Sequence, residues 1–271
     1  MKVGIFDSGL GGLTVVSAIS EIFKGAEIFY IADTEYAPYG EKTPEEILNR
    51  CDNITKYLIE QYNIDALIVA CNTATSAAIK YLRKSFSNLI VIGTEPGIKP
   101  AILITKSLKV GVLATPATLK GSKYQGLVND LSNIKKVQLF EQACIGLVEQ
   151  IEKGEINSEK TYQMLEKWLN PMKENSVDTI VLGCTHYPLI SSIIKKIMQE
   201  NINLIETGNA IANRLLSLSL EKGHINQGTL NISICHTGKI NINMIEKILE
   251  NKNIQIRNCT IWVKYKKTEK F

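Results

Sequence analysis

The chain has 271 residues, of which 45% are hydrophobic and 21% charged, and its formal net charge is +4 at pH 7. This length and composition predict a globular protein with room for two ordinary domains, and so small a net charge gives no reason to expect nucleic acid or an anionic membrane as a partner. Asp7 and several glycines interrupt the first apolar segment, and no apolar run approaches the length of a membrane span, so we expect a cytoplasmic protein without a signal peptide.

The N-terminal segment predicts a strand followed by a helix. The apolar run "VGIF" (3–6) is short and ends at turn-forming residues, as a buried strand of a parallel sheet does. Val15, Ile19 and Phe23 recur every four residues behind it and predict a helix with one apolar face. The glycine-rich turn between them lacks the spacing of a dinucleotide fingerprint and of a P-loop.

A capping box marks the start of the next helix. Thr43 can cap the helix, Pro44 can open it and Glu46 can complete the box, which predicts a helix that ends near Gln61. Cys51 falls on its apolar face and is predicted to be a small core residue.

The third predicted strand ends in a thiol. The segment "DALIVA" (65–70) leads to Cys71, and Ala74, Ala78 and Leu82 then follow at helical spacing. A cysteine between a buried strand and a helix lies where the helix offers unpaired N–H groups. We therefore expect the pKa of Cys71 to fall below the usual ~8.5 of a thiol.

The same pattern recurs later in the chain. The segment "IDALIVACNTATSAAI" (64–79) aligns without gaps with the segment from residue 177, "VDTIVLGCTHYPLISSI", and this places Cys71 opposite Cys184. "KVGIFDSGL" (2–10) likewise aligns with "KVGVLATPA", which begins at Lys109. Internal similarity of this kind predicts two related structural units, each with a thiol at an equivalent strand end.

The helix after the second thiol is predicted to start at Pro188. A missing N–H costs nothing in a first helical turn, and Leu189, Ile193 and Ile197 then give one apolar face.

These elements predict an α/β fold with two pseudo-symmetric parallel-sheet domains, duplicated flavodoxin-like units with the active site between them. The second domain is assigned to residues 98–208 and the first to residues 1–97 plus 209–271. The last segment joins the first domain because a predicted strand (229–235) and helix (242–250) can complete its sheet.

The remaining cysteines are read as structural. The chain has six cysteines and no CxxC pair, which fits neither a dense disulfide framework nor a zinc ribbon. We expect Cys235 and Cys259, like Cys51, to be reduced core residues, and we expect no metal site.

A matched pair of thiols admits three kinds of chemistry. Redox exchange usually uses cysteines close in sequence, and metal binding needs further ligands that the sequence supplies only diffusely. Proton transfer at carbon remains, because inversion of a stereocentre needs a base on one face and an acid on the other. Polar residues and turn glycines at predicted strand ends favour a small dicarboxylic or amino-acid ligand. They are Asp7, Ser8, Tyr39, Gly40, Asn72, Thr73, Thr185 and His186.

Five segments in order, "GIFDSGLGGLTV", "PYG", "ACNTAT", "ATPAT" and "LGCTHYP", make the chain similar to the cofactor-independent glutamate racemases of the aspartate/glutamate racemase superfamily. The resemblance implies interconversion of L- and D-glutamate, a supply of D-glutamate for peptidoglycan, no cofactor or metal, and a homodimer. It implies that Cys184 acts on L-glutamate and Cys71 on D-glutamate, from opposite faces of the α-carbon. Substrate would be held by the eight polar residues named above.

By the same resemblance the auxiliary acids and bases fall on Asp7, Asp33, Glu149 and His186. The chain departs from the family at Glu206 and Thr207, where Asp-Ser is usual.

Three other functions stay open. Aspartate racemase differs by one methylene of substrate, a difference that sequence hardly reveals. A cysteine hydrolase could use Cys184 with His186, although "LGCTH" is not a nucleophile elbow. A two-lobed α/β protein could also bind an amino acid without catalysis.

Overall fold

The chain folds around two parallel β-sheets. The computed structural model describes residues 1–132, 136–199, 201–250 and 254–258. Within that part the strands are β1 (Lys2–Asp7), β2 (Glu27–Ala32), β3 (Ala66–Val69), β4 (Ile90–Gly93), β5 (Lys109–Ala114), β6 (Gln138–Ala143), β7 (Thr179–Gly183), β8 (Asn203–Ile205), β9 (Asn231–His236) and β10 (Ile254–Asn258).

Helices follow most of these strands, as the alternating pattern predicts. They are α1 (Leu13–Ile22), α2 (Pro44–Tyr62), α3 (Asn72–Ser85), α4 (Ile98–Ile104), α5 (Pro116–Lys120), α6 (Ser122–Ser132), α7 (Leu147–Glu152), α8 (Glu159–Glu174), α9 (Ser191–Met198), α10 (Gly208–Glu221) and α11 (Ile242–Ile248). Tyr39–Glu41 and Tyr187–Ile190 form short 3-10 helices.

The two sheets repeat one topology. The first has the order β10-β9-β2-β1-β3-β4 and the second β6-β5-β7-β8, with parallel pairing throughout. The four strands β2-β1-β3-β4 therefore correspond in order to β6-β5-β7-β8. The predicted fold class, two parallel-sheet α/β domains, is confirmed, and Cys71 and Cys184 follow the equivalent strands β3 and β7.

The C-terminal strands return to the first sheet. β9 pairs with β2, β10 pairs with β9, and α10 packs against α1. The exact domain division at residues 97 and 208 stays a prediction.

The capping box predicted at Thr43 is confirmed. Its side chain accepts from the backbone N–H of Glu46, whose carboxylate accepts from the backbone N–H of Thr43 at 2.8 Å. α2 ends at Tyr62, where Asn63 adopts a left-handed conformation with φ 52°. Cys51 is fully buried on its inner face, as predicted.

The helix predicted to start at Pro188 begins three residues later. Tyr187–Ile190 is a 3-10 helix, in which the N–H of Leu189 donates to the carbonyl of His186, and α9 starts at Ser191. The tighter turn rotates the apolar face, so that Ile194 and Ile197 are buried while Leu189 is only half-buried. This turn follows directly behind Cys184.

The cysteines divide into free and bonded. Cys51, Cys71, Cys144 and Cys184 are free and buried. Cys235 is disulfide-bonded, so the prediction of a reduced thiol there is wrong. Its burial was foreseen correctly, but an apolar pattern does not distinguish a free buried sulfur from a bonded one. Cys259 lies outside the described residues.

Candidate active site

A cavity of about 540 Å³ lies where the carboxyl ends of the two sheets face each other. Ligands of parallel α/β sheets bind at such strand ends. Both thiols line it, and each is less than 10% exposed: Cys71 at 7% and Cys184 at 8%. The predicted site residues that line it are Ser8, Tyr39, Gly40, Cys71, Asn72, Thr73, Glu149, Cys184, Thr185 and His186.

Cys71 caps α3 with its sulfur. Sγ accepts from the N–H of Ala74 at 3.5 Å and lies 4.0 Å from Oγ of Ser8. Burial nevertheless raises the pKa of this thiol, and the neighbouring Asp7 raises it further. The prediction of a lowered pKa is wrong for Cys71, because the helix N-terminus offsets only part of the cost of charging a sulfur removed from water. Cys71 is therefore a protonated thiol at neutral pH.

Cys184 is followed by a hydrogen-bonded chain of side chains. Its Sγ lies 3.6 Å from Nδ1 of His186, and Nε2 of His186 lies 2.5 Å from Oε1 of Glu152. Burial alone would lower the pKa of His186, but its bonds to Cys184 and Glu152 together raise that pKa well above its usual value. A protonated imidazole donates at both nitrogens, and the positive charge stabilises a negative charge on the adjacent sulfur.

Sequence reasoning did not find Glu152. Glu149, the predicted auxiliary residue, lines the cavity from α7 and is half-buried. The carboxylate that bonds His186 belongs to Glu152, one turn further along the same helix, and it also accepts from the N–H of Leu10 at 2.6 Å. Residues three apart share a helix face, so the motif "LVEQIE" offered both glutamates as candidates. A role for Glu149 stays a prediction.

Asp7 lies fully buried behind the cavity at the end of β1. Its Oδ2 accepts from the N–H of Gly12 at 2.9 Å and from Oγ1 of Thr185 at 3.4 Å. Burial raises the pKa of Asp7, although His186 opposes the rise. The contact with Thr185 joins the first sheet to the loop that carries Cys184.

The other polar residues leave hydrogen-bonding capacity for a ligand. Both side-chain amide atoms of Asn72 are buried without a partner among the described residues. Oγ1 of Thr73 meets Oγ1 of Thr115 at 3.3 Å, across the cavity's two walls. Because buried polar atoms in folded proteins are nearly always satisfied, the free amide of Asn72 indicates a polar ligand.

Asp33 was predicted to be an auxiliary acid. It is fully buried beneath Tyr39 and accepts from the Tyr39 hydroxyl at 2.7 Å and from Nε of Arg50 at 2.7 Å. Asp33 therefore lies behind Tyr39 and does not itself line the cavity.

Among the residues that the structure describes, no three His, Cys, Asp or Glu side chains are placed to hold a metal ion. None of the helices found there is long and apolar enough to cross a bilayer.

Comparison with known proteins decides the family. Residues 9–215 match the model of the Asp/Glu/hydantoin racemase family. The chain belongs to this family. It is 72% identical over 261 residues to the glutamate racemase of Aliarcobacter butzleri, and the alignment covers 96% of this chain and 100% of the relative.

Solved structures of this racemase family share the fold. A glutamate racemase isoform from Bacillus anthracis is 32% identical with a TM-score of 0.82, over 95% of this chain and 96% of that one. Escherichia coli glutamate racemase, solved with L-glutamate and the activator UDP-MurNAc-Ala, is 29% identical with a TM-score of 0.82, over 96% of this chain and 98% of that one.

Proposed function

We propose that this protein racemises glutamate, with Cys71 and Cys184 as the two groups that exchange a proton with the α-carbon. One observation carries the proposal: two thiols at equivalent strand ends of two related sheets line a single cavity. The name of the relative that is 72% identical supports glutamate as the substrate.

In the direction from L- to D-glutamate, the Cys184 thiolate removes the α-proton and the Cys71 thiol delivers one to the opposite face. Cys184 ends as thiol and Cys71 as thiolate, so the reverse direction starts from the opposite protonation state. The pair therefore titrates as a unit. His186 supports the negative charge on Cys184 before transfer, and Ser8 and the N–H of Ala74 support it on Cys71 afterwards.

The substrate must be held with its carboxylate among hydrogen-bond donors. Removal of the α-proton places negative charge on that carboxylate, and fixed donors in a site shielded from water stabilise this charge most strongly. Asn72 and Thr73 at the start of α3 and Ser8 after β1 supply such donors beside Cys71. Tyr39, Gly40 and Thr185 line the rest of the cavity and complete the proposed contacts.

We also propose that the protein acts as a cytoplasmic homodimer and supplies D-glutamate for peptidoglycan. These are expectations from the sequence resemblance. Sedimentation velocity on the purified protein tests the dimer.

Incubation with D-glutamate in deuterium oxide tests the reaction itself. The wild-type protein should racemise glutamate with incorporation of deuterium at the α-carbon, while Cys71→Ser and Cys184→Ser should each lose racemisation. Circular dichroism and NMR follow the two signals separately, because one single variant can retain exchange on one face. D-aspartate assayed in parallel should react far more slowly.

Each rival function predicts a different result in these assays. An aspartate racemase reverses the substrate preference, and a cysteine hydrolase that uses Cys184 keeps its activity in Cys71→Ser. A binding protein exchanges no deuterium with either substrate. Any of these outcomes would replace the proposal.

A further inference from the structure

The Asp33 carboxylate accepts from three side chains at once. Arg50 donates to both oxygens, from Nε to Oδ2 at 2.7 Å and from Nη2 to Oδ1. Tyr39 donates its hydroxyl to Oδ2 at 2.7 Å, and Thr237 donates its hydroxyl to Oδ1 at 3.0 Å. A carboxylate offers about four lone-pair sites, and protein donors fill them here. Asp33 therefore offers no free lone-pair site for a contact with substrate.

These four residues, the Asp33 clamp, join segments far apart in the chain. Asp33 follows β2, Arg50 belongs to α2, Tyr39 opens a 3-10 helix, and Thr237 follows β9 at a separation of 204 residues from Asp33. The clamp joins all of them at the carboxyl end of the first sheet.

Two segments held by the clamp form cavity wall. Tyr39 and Gly40 line the cavity from one segment, and Lys239 lines it two residues after Thr237. Further bonds tie the segments together: the N–H of Gly238 donates to Oγ1 of Thr34 at 2.9 Å, and the N–H of Glu35 donates to Oγ1 of Thr237 at 3.1 Å. The position of this part of the cavity wall therefore depends on Arg50, which holds both oxygens of Asp33.

We propose that Arg50 is a positioning residue for substrate binding, which acts through Asp33 to hold Tyr39 and the Thr237 segment against the cavity. The proposal rests on the proposed racemisation of glutamate. It assigns Asp33 to the same positioning work, in place of the acid–base role that the sequence resemblance implied. Arg50 is 6% exposed and does not line the cavity, so its effect on substrate passes through the clamp.

The side chain needed at position 50 is specific. A guanidinium presents parallel donors that match a carboxylate in two places, whereas an ammonium is a single point of attachment. Arg50→Lys therefore keeps the charge but loses the geometry, and Asp33 becomes free to rotate away from Tyr39.

Steady-state kinetics of the full chain with D-glutamate test the proposal. Arg50→Lys should raise KM about tenfold and change kcat less than about twofold, because binding must then re-order the displaced wall, at a cost similar to that of one lost bond to a charged group. Tyr39→Phe and Thr237→Val each remove one donor and should raise KM about threefold. Combined with Arg50→Lys, Thr237→Val should add less than its separate effect, because both act through Asp33.

Thr55→Val is the matched control. Thr55 is fully buried on α2 one turn beyond Arg50, and its hydroxyl donates to the carbonyl of Cys51 at 2.7 Å, outside the clamp. It should reduce thermal stability without changing KM. If Arg50→Lys does not fold, Thr237→Val alone decides.

The outcomes separate the two proposals. An active wild type with an unchanged KM in Arg50→Lys and Thr237→Val overturns the clamp alone. A loss of kcat at unchanged KM also overturns it, because that result would return Asp33 to proton transfer. A wild type that does not racemise glutamate overturns the proposed function and this assignment with it.

Discussion

His186 and Glu152 form a buried pair in which Nε2 lies 2.5 Å from Oε1. The N–H of Gly11 also lies 3.2 Å from Nε2, but a protonated nitrogen cannot accept from it. The contact with the Glu152 carboxylate is shorter than the contact with the N–H of Gly11, and it favours the protonated ring. The first sheet's glycine turn also holds Glu152 through the N–H of Leu10, so both halves of the molecule fix the charge behind Cys184.

Glu152→Gln should lower the pKa of His186 by about one unit or more, because it removes the negative charge while it keeps the shape. The rate from L- to D-glutamate should fall about tenfold as the charge beside Cys184 is lost. NMR titration of the His186 ring protons measures the first effect and circular dichroism the second. Glu149→Gln is the matched control and should shift the His186 pKa far less; equal shifts would show that the contact with Glu152 is not decisive.

The pH dependence of stability should carry the signature of His186. Its pKa in the folded protein lies well above the value of about 6.5 expected in the unfolded chain. The stabilisation is therefore fully present below pH ~6.5 and is lost as pH rises through the raised pKa. Urea unfolding of wild type and His186→Asn should show a larger difference at pH 6 than at pH 9.5. The difference should flatten in a Glu152→Gln background, and a pH-independent difference would contradict the assignment.

Gly11→Ala should impair catalysis more than folding. A Cβ at position 11 would lie 2.4 Å from Nδ1 of His186 and 2.5 Å from Oγ1 of Thr185, so both side chains must move from their places beside Cys184. We expect kcat to fall at least about tenfold, since small displacements in an active site are costly. Gly126→Ala is the control, because nothing lies within 4 Å of its Cβ; in the middle of α6 it should stabilise the fold by roughly 0.5–1 kcal/mol and leave kcat unchanged. Equal kinetics in both variants would show that the His186 position does not matter.

Cys144→Ala should keep racemisation within about twofold of wild type. Cys144 also lines the cavity, but burial raises its pKa to about 12, so it is a neutral thiol at neutral pH. It follows β6, and the corresponding residue of the first unit is Asp33. The N–H of Asp33 donates to the backbone carbonyl of Asp7, and the N–H of Cys144 donates to the backbone carbonyl of Ala114, each at 2.9 Å. Loss of deuterium exchange in Cys144→Ala would give this third thiol a part in the reaction.

Much of the fold could be predicted because it depends on local rules. The capping box at Thr43 needs only residues within one helical turn, and the buried strands before Cys71 and Cys184 are short apolar runs. Internal similarity then placed the two thiols at equivalent strand ends, and parallel sheets bring such ends to one edge.

Other properties depend on groups that meet only after folding. The pKa of Cys71 rises because the surrounding chain removes water from the thiol and brings Asp7 close. No local sequence pattern reveals either effect. Which glutamate of α7 reaches His186 depends on how that helix packs in the fold, and the contact is made by Glu152.

The sequence by itself determined the two thiols, their equivalent settings and the polar residues around them, because strand and helix signals act over a few residues. Only the tertiary structure decided what charges and positions those residues. The carboxylate behind His186 lies 34 residues away from it in the chain, and the hydroxyl of Thr237 lies 204 residues from Asp33. Hydrogen bonds and desolvation act over a few ångströms of space, and separation along the chain does not reveal which groups come that close.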